Sequence, residues 1–357
     1  MDRLAALCAR LEPPPRLVDW SLFGLVALAV ATGVVSLGVG RPPGAVVFWL
    51  HAVAGLSLPV LLAVKFRRVA VRVRDARLWD RATPVSLFLA GLVVAAVATG
   101  AAWAVGATLP LDFWTLLNVH VLFGALVVPA LLYHLRARYR PLRRTDLRER
   151  RVALQYLTLV ALGGLTATLL RRAATLLSTP AATRRFTGSR RLDGALPATS
   201  WVADDPDPVD PATWTLAVDG AVSRPLELGV SDLGAPPTAT RRARLDCTSG
   251  WYADREWRGV TLGALLAAAD PDADARWVTV RSVTGYRWSI PLAEARAALL
   301  ATHLSGARLD HGHGYPLRLV APGRRGFQWV KWVDRVEVRR HPDPSQWVAV
   351  FLSGFTD

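Results

Sequence analysis

Five long apolar runs constrain this chain more than any other feature of its sequence. They are Trp20–Val39, Ala45–Val64, Val85–Gly106, Phe113–Leu135 and Val152–Leu170, each about 19 to 23 residues long, and a helix needs about 20 residues to cross a hydrocarbon core of about 30 Å. Backbone polar groups in lipid must be satisfied within the segment, so each run is expected to be a helix. No such run follows Leu170. The first half therefore predicts an all-α membrane bundle of about five transmembrane helices. The second half must be something else.

The net charge of +15 would suit a nucleic-acid ligand, but its placement argues otherwise. Up to Leu170 there are nineteen Lys/Arg against eight Asp/Glu, and most of these cations lie between apolar runs. The connection Lys65–Pro84 carries seven of them and Arg136–Arg151 carries eight arginines, whereas Arg41–Gly44 has one and Ala107–Asp112 none. Short Lys/Arg-rich connections stay in the cytoplasm. The N-terminus is thus expected inside, the second half outside, and the partner of the basic residues is the lipid bilayer, with no nucleic acid. Trp49, Trp103 and Trp114 fall near the outer ends of their runs, as interfacial aromatics do. The first run is full length and lacks a small-residue cleavage site, so no removable signal peptide is expected. Arg150-Arg151, just before the fifth run, resembles a twin-arginine signal, although Glu149 stands where Ser or Thr is usual. Cys8 and Cys247, the two cysteines, fall on opposite sides of the membrane and cannot pair. Cys247 is either a ligand, a reactive thiol or a buried small hydrophobe.

Ionisable residues inside membrane spans are costly and mark function. His51 lies six residues into the second run and His120 seven into the fourth, both entering from the outer side. At 1.5 Å per residue both sit roughly 10 Å deep. Two imidazoles at one depth suit a b-type haem iron, against the alternative of hydrogen-bonded packing histidines. His134 follows His120 by fourteen positions, about 21 Å along the same helix face. With this spacing the helical half resembles the cytochrome b561-like and hydrogenase-type cytochrome b families, which implies haem b and exchange of electrons with quinol or quinone. Fourteen residues after His51 stands Lys65. An inner haem on His134 thus lacks a second ligand, and one haem is expected.

After Trp201 short β-like runs alternate with Pro, Gly and Asp: Trp214–Val218, Ala243–Cys247, Trp277–Val283, Leu317–Ala321 and Val333–Val338. Helix-like stretches occur at Thr261–Ala269 and Ala293–Leu304. This pattern predicts a mixed α+β domain. The expected organisation is a helical domain over 1–172, a linker and entry segment over 173–200, and the α+β domain over 201–357.

Three segments of this half share one resemblance. Asp246-Cys247-Thr248-Ser249-Gly250-Trp251 with Trp257-Arg258-Gly259-Val260-Thr261-Leu262, then His313-Gly314-Tyr315-Pro316-Leu317-Arg318, then Lys331-Trp332-Val333, resemble in order the sulfite oxidase superfamily of molybdopterin enzymes. Arg185-Phe186-Thr187-Gly188-Ser189 and Thr199-Ser200-Trp201 are similar to the entry segment of its bacterial members. The resemblance implies a molybdenum–molybdopterin cofactor with Cys247 as the protein ligand to the metal and as the catalytic position. His313, Arg318, Lys331, Arg185 and Trp251 are the implied cofactor contacts. A thiolate donor and fixed cations suit a high-valent metal carried on an anionic pterin. Trp347–Phe355 lacks the tyrosine that animal and plant sulfite oxidases carry after the lysine, and with the sequence ending at Asp357 their C-terminal domain is not expected. The bacterial branch that includes the periplasmic methionine sulfoxide reductase catalytic subunit is the nearer likeness. The expected activity is reduction of a sulfoxide or another small oxo-compound; sulfite-type oxidation, and a membrane-anchored module without turnover, stay open.

Overall fold

The computed structural model describes residues 14–109, 114–141, 150–200 and 204–353. Cys8, Phe113, Glu149 and Trp201 lie outside the described residues. The chain divides into two compact units, Met1–Arg190 and Arg191–Asp357. The division falls within the segment read as a linker.

The first unit is built on α1 (Pro15–Gly38), α2 (Ala45–Arg74), α3 (Thr83–Val105), α4 (Leu116–Arg138) and α5 (Arg150–Leu176). All five are long and apolar enough to span a bilayer. Helix α2 runs ten residues beyond the apolar run ending at Val64, where a connection was expected. Long basic side chains are good helix formers, and in this extension Lys65 reaches back to Asp19 of α1 at 3.0 Å. The chain folds as two hairpins, α1 with α2 and α3 with α4, and α5 lies chiefly against α2. Gly163 of α5 makes that approach possible: a Cβ there would meet Ser57 Oγ at 2.4 Å and Val53 O at 2.9 Å. The outward faces carry exposed Val34, Leu132, Leu157 and Leu165, which is how a bundle solvated by lipid looks. Trp49 and Trp114 are exposed as expected of interfacial aromatics. Trp103 is instead buried, its indole N–H donating to Gly188 O at 3.0 Å beneath the Arg190 guanidinium at 3.6 Å from the ring centroid.

The second unit is mixed α+β. Its strands are β1 (Thr215–Gly220), β2 (Leu226–Gly229), β3 (Thr238–Asp246), β4 (Trp251–Thr261), β5 (Trp277–Ser282), β6 (Arg287–Pro291), β7 (Leu299–Leu304), β8 (Ala307–Arg308), β9 (Arg318–Val320) and β10 (Val333–Arg339). One sheet has the order β2-β1-β10-β5-β6, with β10 parallel to β1 and its other pairs antiparallel. In the other sheet β4 pairs antiparallel with β3 and β7, and β7 also pairs with β8 and β9. Helix α6 (Leu262–Ala269) buries Leu262, Leu265, Leu266 and Ala269, the i, i+3, i+4, i+7 face. One continuous core includes Trp257, Leu300, Leu319, Trp329 and Val336.

The helix expected over Ala293–Leu304 is overturned. Only α7 (Leu292–Arg296) is helical, and Leu299–Leu304 forms β7 between β4 and β9. Its apolar residues read as either period locally, and pairing on both sides decided in favour of the strand. Strands β2, β4, β6 and β8 have no counterpart among the runs expected from sequence. Beyond β10, α8 (Gln346–Leu352) packs near β6.

Candidate functional site

In the second unit the site begins at the turn joining β3 to β4. Cys247 N–H donates to Trp251 O at 2.8 Å and Cys247 O accepts from Gly250 N–H at 3.1 Å, which closes a four-residue turn. Gly250 has φ of +95°, a left-handed conformation that favours glycine. The Cys247 thiol is buried, with Ser249 N–H 3.5 Å and Thr199 Oγ1 3.8 Å from Sγ.

Arg325 clamps this turn from behind. Its Nη1 lies 2.5 Å from Asp246 Oδ1 and its Nη2 donates to Cys247 O at 3.4 Å, and both members of the ion pair are almost fully buried. Gln328 Oε1 accepts from Arg325 N–H at 2.9 Å. Gly326 then passes so close that a Cβ would stand 3.0 Å from Cys247 Cα and 3.2 Å from Asp246 O. The sulfur is thus carried on backbone held by a hairpin, a buried ion pair and a close glycine contact.

Around Cys247 the cavity is lined by Ser200, Asp204, Trp251, Tyr286, Arg318 and Lys331, among others. Arg318, the first residue of β9, is buried with its guanidinium 5.5 Å from the Trp257 ring centroid. Its Nη1 donates to His313 O at 3.3 Å, and its Nε has no acceptor among the described residues. Burial pulls the Arg318 pKa down to about 10, against the opposing pull of Cys247. Lys331 Nζ donates to Gly312 O at 2.7 Å and to Ser200 Oγ at 3.3 Å. Burial, and then repulsion by Arg318, lower the Lys331 pKa to about 8. The Lys331 stem lies against Gly314, where φ is +102° and a Cβ would come within 2.9 Å of Lys331 Cβ. Next to it Trp332 holds φ of +48°, a strained conformation for so bulky a residue, with its indole donating to His311 O at 2.9 Å.

The structure brings Cys247, Trp251, Arg318 and Lys331 together at one cavity. His313 is not among the lining residues. Its Nδ1 faces the Asp310 carboxylate at 2.8 Å, its Nε2 faces Leu196 O at 3.1 Å, and it reaches the site through its own carbonyl on Arg318. Arg185 belongs to the first unit, where Nη2 donates to Gly40 O at 3.4 Å.

Three residues of this site escaped the sequence reading. Asp204 is buried, Thr284 bonds one side of its carboxyl, Oδ1 has no partner among the described residues, and burial raises its pKa. Tyr286 brings a phenol from the β5–β6 turn, donating to Phe327 O at 2.6 Å, with a pKa pushed up by burial and by Asp204. Arg325 lies in an ordinary-looking Arg-Arg-Gly stretch, and nothing in its spacing marks it.

The first unit holds its own constellation. His51 and His120 have ring centroids 5.8 Å apart with planes at 88°. His51 Nδ1 contacts Ala29 O of α1 at 2.9 Å, and His120 Nδ1 contacts Ala96 O of α3 at 2.8 Å. A carbonyl only accepts, so in each bond Nδ1 carries the proton and Nε2 is the basic nitrogen. Gly33 and Gly100 admit the rings, since a Cβ would lie 3.4 Å from His51 Cε1 and 3.0 Å from His120 Cε1. The sequence carried a signal for this device. Ala29-Val30-Ala31-Thr32-Gly33 recurs as Ala96-Val97-Ala98-Thr99-Gly100, each supplying one carbonyl and one glycine to a histidine on the next helix. His134 contacts Ser86 Oγ at 2.9 Å.

Comparison with known proteins agrees with the geometry of the second unit. The family described as oxidoreductase molybdopterin binding domain matches residues 203–347. Most of the second unit is thus similar to molybdopterin-binding oxidoreductase domains. Among relatives, the protein-methionine-sulfoxide reductase catalytic subunit MsrP of Gluconobacter oxydans (strain 621H) is 32% identical over 157 residues, 38% of this chain and 50% of that protein. The uncharacterized oxidoreductase YuiH of Bacillus subtilis (strain 168) is 29% identical over 141 residues, 39% of this chain and 71% of that protein. The chain therefore spans half the length of the first relative. The sulfane dehydrogenase SoxCD from Paracoccus pantotrophus shares 28% identity over 38% of this chain and 40% of that one, with a TM-score of 0.36.

Proposed function

We propose that this protein is a membrane-anchored molybdenum oxidoreductase that reduces a sulfoxide or a similar small oxo-compound outside the membrane, using electrons drawn from quinol through a b-type haem. The observation that carries the reading is a buried thiol facing a buried arginine with an orphaned Nε and a half-buried lysine, in a domain that matches the molybdopterin-binding family. Desolvated Arg318 and Lys331 seek an anion, and the pterin cofactor is one. The donor chemistry fits the group, and the pocket of about 70 Å³ beside Cys247 is open on one side. Cys247 would ligate the metal and Trp251 would wall the pocket.

The bound cofactor supplies two-electron oxygen-atom transfer, and the protein positions it. Releasing the oxygen of a sulfoxide as water takes up two electrons and two protons. Asp204, kept protonated more readily by burial, and Lys331 stand at the cavity wall where those protons are needed. His51 and His120 support the haem. Each presents Nε2 as the basic nitrogen, the two ring centroids lie 5.8 Å apart, and together they would hold the haem iron.

Tyr286 favours a second reading, sulfite-type oxidation running electrons inward to quinone. The missing tyrosine beyond Lys331 argued for reduction, yet a phenol reaches the cavity from the β5–β6 turn. Steady-state assays of the purified protein separate the two. Reduction of sulfoxides or N-oxides by dithionite-reduced protein with no sulfite-driven dye reduction supports our reading; the opposite pattern replaces it. A metal-free, folded protein inert in both directions would leave only a binding module.

A further inference from the structure

The repeat extends past the histidines that face one another. Fourteen positions beyond His51 is Lys65, and fourteen beyond His120 is His134. At this end of the bundle, nearest the arginine-rich connections, the two hairpins enclose a cavity of about 630 Å³ with wall residues from all four of their helices. Its wall is mostly apolar, including Trp20, Ala90 and Val93. Besides Arg68, Arg72, Arg138 and Arg140 on the wall, two polar devices interrupt it. Lys65 Nζ pairs with Asp19 Oδ1 at 3.0 Å. Ser86 spends its hydroxyl proton on Ala82 O at 2.7 Å, so Ser86 Oγ accepts from His134 Nδ1–H at 2.9 Å, and His134 Nε2 remains a hydrogen-bond acceptor.

Resting on the reading that quinol is the electron donor, we infer that this cavity is the binding site of a neutral 1,4-hydroquinone and its quinone, with His134 and Lys65 at its polar end. The volume lies in the range of small-molecule sites. A hydroquinone hydroxyl can donate to His134 Nε2. A quinone carbonyl can accept from an ammonium proton of Lys65. The apolar wall receives the ring and the start of a lipid-soluble tail. Arg68, Arg72 and Arg140 also lie on the wall, so the neutral ligand is selected by the apolar lining and the His134–Lys65 acceptor–donor pair, with an anionic lipid as the rival occupant that the test separates. A second haem is disfavoured by the Lys65–Asp19 ion pair, since an ammonium held by a carboxylate has no lone pair for iron.

The test uses the purified full-length protein in detergent, a photoreactive azido-benzoquinone with a short tail, and the haem spectrum as a record of folding. The label is expected on α1 or α4 peptides lining the cavity, competed by unlabelled quinone. Ala90→Trp, which fills the cavity, should abolish labelling. His134→Gln and Lys65→Met should each weaken quinone binding at least tenfold while the haem spectrum is retained. Quinol reduction of the haem in wild type checks the parent reading separately. If quinol reduces the haem but Ala90→Trp is reduced just as fast, or the label maps elsewhere, the location is wrong and the donor stands. If quinol neither reduces the haem nor competes for labelling, both fall. Two haems per chain, or displacement of the label by anionic phospholipid but not by quinone, also overturns the assignment.

Discussion

The two units hold their functional side chains by opposite means. In the second, Cys247 sits over a packed core of Trp257, Trp329 and leucines, where burial of apolar surface supplies the stability and one buried ion pair fixes the turn. In the first, lipid is as apolar as leucine, so burial gives little reason for the hairpins to associate. Position is set there by small residues and backbone: two carbonyls on two imidazoles, two glycines beneath the rings, Gly163 against Ser57. A core can absorb a lost contact elsewhere, whereas a site built on single close approaches should respond to one methyl group.

The largest effect expected is chemical. Cys247→Ala should drop molybdenum from about one per chain to under a tenth and abolish turnover, while the haem spectrum and helical circular dichroism stay unchanged; metal analysis beside spectra reads this. A lost haem signal would break the separation of the halves. Next comes the clamp. Arg325→Met leaves Asp246 buried without its partner and should destabilise the second unit by about 3–5 kcal/mol, and adding Asp246→Leu should restore most of that in a thermal melt. An unchanged melting curve for the single variant would mean that the core alone holds the turn. In the helical unit the glycines should rank by clearance. Gly100→Ala, with its Cβ 3.0 Å from the His120 ring, should perturb the haem bands more than Gly33→Ala at 3.4 Å, at a cost of about 1–3 kcal/mol for the tighter site. Equal effects would refute the single-contact account.

The smallest effect is a pH dependence. Lys331 has a pKa lowered to about 8 in the free site, so it is charged below that pH and loses its proton above it. An anion raises that pKa on binding, so affinity of the cofactor-free protein for pyrophosphate should be full near pH 7 and fall as pH rises through 8 and beyond. Calorimetry should show the slope in wild type and its loss in Lys331→Met.

The helical unit was the more legible in sequence. A bilayer sets a minimum length for a spanning helix, so five apolar runs read almost directly as α1 to α5, while the extensions of α2 past Val64 and α5 past Leu170, and the start of α1 at Pro15, were missed. In the second unit local patterns underdetermined the outcome, and β7 shows why: Leu299–Leu304 suits a helix by itself and became a strand through partners far away in sequence. At the site, residues in motifs were found and those that arrive by tertiary approach were not. Asp204, Tyr286 and Arg325 come from three separate segments to surround Cys247, and no spacing encodes that meeting. The doubled Ala-Val-Ala-Thr-Gly segment was in plain view, but its meaning depends on each helix lying beside the one that follows it.

The histidine-to-carbonyl bonds carry a consequence for assembly. Each imidazole offers its second nitrogen only when α1 is seated correctly along α2, or α3 along α4, because a slip by one residue moves the alanine carbonyl away from Nδ1 and brings a side chain under the ring. Metal capture between the hairpins would then act as proofreading during membrane insertion, accepting only chains whose helices have settled in the right alignment.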